Sequence, residues 1–123
     1  MLFLSIDSPT QKQQDIFLSV CEQVAYREAE IIANDLLTHK EPNPLHLQRA
    51  IADVLDTQTT YNQRYIKRLM NGMLNGNFVG LDNLLDKCFT QGYGAFLNTY
   101  TGAHKNCIKS YLSDNPFATD NTP

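Results

Sequence analysis

The sequence predicts an all-α protein: a single domain of about five helices, with a long amphipathic first helix, a short apolar N-terminal arm and a flexible C-terminal tail. Apolar residues recur at helical spacing through most of the chain. Prolines that start helices and glycines that end them separate the periodic segments. The chain has 123 residues, 42% apolar and 19% charged, as expected for one globular domain. We expect a helical domain over residues 1–113 and a tail over residues 114–123.

The first helix has the strongest periodic pattern. Met1–Asp7 is too short for a helix and predicts an apolar arm or an edge strand. Ser8 followed by Pro9 predicts an N-cap with proline at the first helical position. From Thr10 to His39 the apolar spacing of three to four residues holds for about six turns. This stripe comprises Ile16, Phe17, Val20, Cys21, Val24, Ala25, Ala29, Ile32, Ala33, Leu36 and Leu37.

Two further starts predict the second and third helices. Asn43 before Pro44 is another cap followed by proline, and the helix after it should reach about Leu55. Residues 56–59 are polar cap formers, so a third helix can begin near Thr60, although the two helices could also be continuous. A glycine C-cap at Asn75-Gly76 should end the third helix. Its predicted stripe comprises Tyr61, Tyr65, Leu69 and Met73.

The fourth and fifth helices are predicted on either side of Gly92-Tyr93-Gly94. The short fourth helix should end at this stretch, and the fifth should run from about Ala95 to Leu112. Gly102 should weaken the fifth helix by up to ~1 kcal/mol relative to alanine. Apolar positions of the fourth helix are Leu81, Leu84, Leu85 and Cys88, and those of the fifth are Phe96, Tyr100, Ala103, Cys107 and Tyr111.

Cysteine usage and hydropathy limit where the protein works. Cys21, Cys88 and Cys107 are odd in number and widely spaced, which favours neither a disulfide framework nor a zinc motif. No apolar run approaches the ~20 residues of a membrane span, and the apolar start lacks the basic region of a signal peptide. We expect a cytoplasmic protein that makes no contact with a membrane.

Local motifs for catalysis or cofactor binding are missing from the sequence. The three histidines are isolated, with no pair spaced to place two imidazoles on one helix face. Glycines between residues 72 and 80 lack the lysine and hydroxyl of a phosphate loop, and they predict a turn. We expect no enzyme activity, no cofactor and no bound metal.

Two sets of reactive side chains are interpreted as structural. The acidic pair Glu28 and Glu30 could in principle serve as general acid and base, but a solvated helix face explains it. Cys88 and Cys107 could pair with His104 in space, but both lie on apolar stripes, which predicts buried packing.

Charge is distributed unevenly along the chain. Residues 1–60 contain nine acidic and four basic residues, whereas residues 61–113 contain two acidic and six basic residues. If the fold keeps these halves apart, the second half can face an acidic partner. If it stacks them, their charges attract each other and no patch results.

These features favour a non-enzymatic helical protein-interaction module. An adaptor, a chaperone-like factor or a small inhibitor encoded by a mobile genetic element would fit. The expected partner is another protein, and the first helix could continue its apolar stripe across a homo-oligomer.

The alternative is a DNA-binding regulator that reads DNA through the helix after Thr60. Residues 45–72 resemble a helix-turn-helix, in which arginine pairs with guanine, and asparagine or glutamine with adenine. Asp56, Thr57 and Asn62 depart from the motif where it has the turn glycine, the apolar residue after it and a buried aliphatic residue. The candidate residues for a protein or nucleic-acid partner are Asn62, Gln63, Arg64, Lys67, Arg68, Lys105 and Lys109.

Overall fold

The computed structural model describes residues 11–74 and 82–114, apart from the side chains of Tyr61, Met73, Leu74 and Asp82. The described residues form five helices and no strand, which confirms the all-α prediction and its long first helix. The predicted N-terminal arm, the Ser8 cap, the stop at Asn75-Gly76 and the tail from residue 115 onwards lie outside these residues. The helices are α1 (Gln11–Leu37), α2 (His46–Leu55), α3 (Thr60–Leu74), α4 (Asp82–Leu97) and α5 (Gly102–Asp114).

Helix α1 is the centre of the fold and packs against α4, α2 and α5. Its predicted apolar stripe is confirmed, because the stripe residues from Phe17 to Ala33 are buried. One charged residue shares this face: Glu28 is 0% exposed. The prediction of a solvated face is therefore wrong for Glu28, whereas Glu30 is exposed as predicted.

The end of α1 is a Schellman turn. The N–H of Lys40 donates to the carbonyl of Asp35 at 2.9 Å, and the N–H of His39 donates to the carbonyl of Leu36 at 3.1 Å. His39 has a φ of 64°, the left-handed conformation that this turn requires and that glycine usually supplies. The predicted helix end thus lies within two residues of the observed one.

Helices α2 and α3 are separate, so the continuous alternative is wrong. The side-chain amide of Gln63 donates to the carbonyls of Leu55 at 3.0 Å and Gln58 at 3.1 Å, where α2 ends. The hydroxyl of Thr59 accepts the N–H of Asn62 at 3.3 Å and caps the start of α3. Residues 56–59 therefore form the predicted polar interruption.

The buried face of α3 is centred on Ile66, Leu69 and Met70. Tyr65, which the predicted stripe placed beside Leu69, is only half-buried. The stripe was therefore right at Leu69 but was centred one residue too early, since Ile66 and Met70 share a face at fourfold spacing.

The predicted boundary between the fourth and fifth helices is wrong. Helix α4 continues through Gly92-Tyr93-Gly94 to Leu97, and α5 begins at Gly102. A Cβ at Gly92 would lie 2.4 Å from the carbonyl oxygen of Glu22, so this glycine allows α4 to approach the backbone of α1. The break falls at residues 98–101, next to Gly102 with its φ of 66°.

The buried positions of α5 also differ from those predicted. Ile108 and Leu112 are buried, whereas Ala103 and Cys107 are exposed. Buried packing is therefore wrong for Cys107, and Cys88 is half-buried. The predicted stripe was counted from Phe96, which belongs to α4. Because α5 is a separate helix that begins at Gly102, the spacing from Phe96 does not predict which face of α5 is buried.

Among the described residues, the apolar core consists of two clusters that meet in the second half of α1, between Ala29 and Ile32. The larger cluster joins α1 to α2, α3 and the first half of α4, with Phe17, Ile66 and Phe89 among its fully buried members. The smaller cluster joins the second half of α1 to the end of α4 and to Ile108 of α5. Tyr93 packs against both clusters.

Candidate functional site

Three of the five candidate binding residues on α3 lie along a cleft between α2 and α3. This α2–α3 cleft has a volume of about 670 Å³, and Gln63, Arg64 and Lys67 line it. Arg64 and Lys67 are exposed, whereas the amide of Gln63 is engaged with the carbonyls at the end of α2. Asn62 is half-buried and Arg68 is exposed, and both lie outside the cleft lining.

The packing of α2 on α3 departs from a helix-turn-helix. Ala52, which aligns with the small residue of that motif, is exposed and lines the open cleft. The buried side of α2, which includes Ala50 and Ile51, instead belongs to the larger core cluster. Asn62 is half-buried at the position where the motif buries an aliphatic residue.

The remaining two candidates, Lys105 and Lys109, lie in a groove between α4 and α5 with a volume of about 480 Å³. The two lysines are one turn apart on the same side of α5, which separates their Cβ atoms by ~5–6 Å. Five of the seven candidates thus line two different clefts, Asn62 and Arg68 line neither, and the structure does not assemble the seven into one site. The α4–α5 groove is lined by Asp86, Phe89, Thr90, Tyr93, Gly94, Leu97, Asn98, Lys105, Lys109, Leu112 and Ser113.

The α4–α5 groove combines an apolar floor with a polar rim. Phe89, Leu97 and Leu112 are buried and belong to the core clusters, so the floor is formed by side chains of the packed core. On the rim, Lys109 and Ser113 are exposed. An ideal Cβ built at Gly94 meets no atom within 4 Å, so the groove is open at this point of α4.

A buried polar cluster adjoins the groove through Tyr93. Its centre is Glu28, whose side chain is 1% exposed. Glu28 Oε2 lies 2.6 Å from His46 Nδ1, and the hydroxyl of Tyr93 donates to Glu28 Oε1 at 2.5 Å. Each carboxylate oxygen therefore has a partner, which offsets part of the cost of burying the carboxylate.

The electrostatics of the cluster keep Tyr93 protonated. Burial raises the pKa of Tyr93 well above its usual value, and the charge and hydrogen bond of Glu28 raise it further. The ring of Tyr111 lies edge-on to His46 with centroids 6.1 Å apart. Burial, then Glu28 and Glu41, also raises the pKa of Tyr111. The cluster thereby joins α1, α2, α4 and α5.

The carboxylate and imidazole of this cluster are arranged like the orienting pair of a hydrolase. The carboxylate is inaccessible to solvent, and no described hydrogen bond joins His46 to a serine, threonine or cysteine. Sequence analysis missed the pair, although Glu28 lies four residues after Val24 and four before Ile32, in the middle of the apolar stripe. This position within the apolar stripe was the signal in the sequence that could have indicated that Glu28 is buried.

Ion pairs of the described residues stay within the acidic first half. Arg27 bonds Glu30 at 2.8 Å and Asp53 at 2.9 Å, and these hydrogen bonds raise the pKa of Arg27. The other pair is Glu28 with His46. Within residues 11–74 and 82–114, the basic side chains of the second half therefore make no ion pair with the acidic half.

Neither a metal centre nor a relative identifies the site. Among the described side chains, no group of three or more His, Cys, Asp or Glu residues is placed to hold a metal ion. No helix in the described part of the chain has the length and hydropathy needed to cross a bilayer. Comparison with protein-family models, curated proteins and solved structures finds no match.

Proposed function

We propose that this protein is a non-enzymatic helical interaction module that binds a segment of another protein in the α4–α5 groove. The observation that carries the proposal is the combination of a buried apolar floor with two lysines on one side. Apolar surfaces of this kind hold the anchor side chains of protein interfaces, while a polar rim excludes water around them once the partner is bound.

The dimensions of the groove suit a few side chains of a macromolecular segment. Its volume of about 480 Å³ is comparable to a small-molecule site. However, Thr90, Asn98, Lys109 and Ser113 along it are exposed, so the groove is open along the surface. An open groove leaves most of a small molecule in water but lets a longer segment continue beyond both ends.

A DNA-binding regulator is the second candidate, and the exposed basic face of α3 favours it. Arg64, Lys67 and Arg68 are all exposed there. It ranks second because Ala52 faces an open cleft and because the amide of Gln63 is engaged at the end of α2. A homo-oligomer through α1 also stays a prediction. The apolar face of α1 is buried within the chain, which does not favour it.

The groove can be tested by filling it from Gly94. A leucine there has space for its Cβ and should project into the groove without disturbing the core. The matched control is Gln91→Leu, an exposed position on the same helix outside the groove. Peptides of ~16 residues, ~24 Å long if helical, would be selected from a random displayed library on the wild-type protein. Their affinities for all three proteins would then be measured by fluorescence anisotropy.

We expect Gly94→Leu to weaken binding of the selected peptides at least tenfold and Gln91→Leu to leave it unchanged. Failure to select any peptide, or equal binding to Gly94→Leu, would overturn the proposal. The same anisotropy measurement on a pool of mixed duplex DNA tests the second candidate. Binding that falls between ~50 and ~200 mM salt and is lost in Arg64→Ala/Arg68→Ala would favour the regulator.

A further inference from the structure

We infer that the segment bound in the α4–α5 groove is a short acidic amphipathic helix, with two carboxylates one turn apart beside an apolar anchor. This inference rests on the proposed function and adds the chemistry of the partner. Its basis is charge complementarity, because both lysines of α5 lie on one side of the groove.

Spacing defines the acidic part of the partner. Lys105 and Lys109 are at i and i+4, so their ammonium groups can reach carboxylates separated by one helical turn. Lys105 is half-buried and Lys109 is exposed, which suits stems that pack along the groove while their charges stay in water. Among the described ion pairs neither lysine has a carboxylate partner.

The opposite wall defines the polarity of the partner. Asp86 of α4 is exposed and is the one carboxylate among the described lining residues. A basic residue on the far side of the bound helix would pair with Asp86. A uniformly acidic segment would be repelled there, so the groove selects a helix with an acidic face, an apolar edge and a basic residue opposite.

Floor and rim contribute differently to binding. Exposed ion pairs add little affinity individually, so the apolar side chain over Phe89, Leu97 and Leu112 supplies most of it. Charges determine which apolar helices are accepted and how they are oriented, because like charges facing each other are strongly unfavourable. Lys105 and Lys109 should therefore determine which peptide sequences bind, whereas the apolar contact should determine most of the affinity.

The test uses the peptides selected on the wild-type protein and reverses the charge of the groove. Lys105→Glu/Lys109→Glu changes the two groove lysines. Lys12→Glu/Lys87→Glu changes two exposed lysines outside the groove and gives the same net charge. We expect the selected peptides to be rich in paired acidic residues, to lose at least tenfold in affinity for the groove variant, and to bind the control variant as before. Lysine-substituted versions of these peptides should bind the groove variant better than the wild type.

Each result separates the partner chemistry from the proposed function. Peptides that bind Gly94→Leu more weakly but bind Lys105→Glu/Lys109→Glu as tightly as the wild type would overturn the inference of an acidic helix. They would leave the groove as a binding site. Peptides insensitive to Gly94→Leu would overturn both. Wild-type dimers in sedimentation velocity that disappear in Gly94→Leu would identify a second copy of this chain as the occupant and overturn the inference.

Discussion

At the scale of single residues, Glu28 is the one charged residue that is buried among those the structure describes. A carboxylate without exposed surface is tolerated because His46 and Tyr93 each contact one of its oxygens. Sequence periodicity placed the backbone of Glu28 on the buried face, but the chemistry of the residue favoured the surface. Its two partners come from α2 and α4, so no local pattern around Glu28 could have revealed that its charge is satisfied.

Removing this carboxylate should be costly. We expect Glu28→Ala to lower the free energy of unfolding by about 3 kcal/mol or more, because it leaves a cavity and deprives the half-buried side chains of His46 and Tyr93 of their hydrogen-bond partner. Urea unfolding followed by circular dichroism measures the change. The control is Glu30→Ala, whose side chain is 48% exposed and pairs only with Arg27 among the described residues. This surface pair should contribute no more than ~1 kcal/mol. Similar losses in both variants would contradict a special role for Glu28.

At the scale of helices, the glycines of α4 show where a helix-end signal in the sequence is misleading. Gly92 and Gly94 predicted a helix end, because glycine is the usual residue after a helix. Gly92 instead lies where α4 approaches the backbone of α1, and Gly94 faces the open groove. The predicted starts of the first three helices lack this ambiguity, since prolines and polar cap formers mark them.

The two glycines should respond in opposite directions to alanine. In Gly92→Ala the new Cβ would overlap the carbonyl of Glu22, and we expect a loss of ~1–3 kcal/mol from overpacking, which exceeds the gain in helix propensity. In Gly94→Ala nothing opposes that gain, and stability should rise by up to ~1 kcal/mol. The midpoints of urea unfolding report both changes. Stabilisation of both variants would show that α4 and α1 are not in close contact at Gly92.

At the scale of the whole molecule, Tyr93 connects the parts of the fold. Its ring packs against both core clusters, its hydroxyl bonds Glu28, and it lines the α4–α5 groove. The raised pKa of Tyr93 therefore makes the free energy of unfolding of the whole domain depend on pH. Below the ordinary tyrosine pKa of ~10 this contribution is fully present. Above it the unfolded chain ionises Tyr93 while the folded chain does not, so stability falls as pH rises.

Comparison of wild type with Tyr93→Phe isolates this effect. At pH 7 we expect the variant to be less stable by ~1.5–3 kcal/mol, because the carboxylate of Glu28 loses the hydrogen bond that the hydroxyl of Tyr93 donates to it. Between pH 10 and 11 the wild type should lose up to ~1.4 kcal/mol more than the variant, so the difference narrows. Urea unfolding from pH 7 to 11 measures both curves, and Tyr111 titrates in both proteins. Parallel curves above pH 10 would contradict the protonated, buried state of Tyr93.

Helical spacing and cap residues are local properties, so they were sufficient to predict the all-α class and the long first helix. They left open whether α2 and α3 form one continuous helix, and the structure decided this by separating the two helices at residues 56–59. Helical spacing also selected Lys105 and Lys109 as binding candidates. The α4–α5 groove and the Glu28 cluster depend on contacts across the chain, such as the bond between Glu28 and Tyr93, 65 residues apart. The same holds for the continuation of α4 past Gly92, because the space available beside that glycine is set by the backbone of α1. Burial and the pairing of charges are decided by packing between helices, and no periodicity within one helix specifies them.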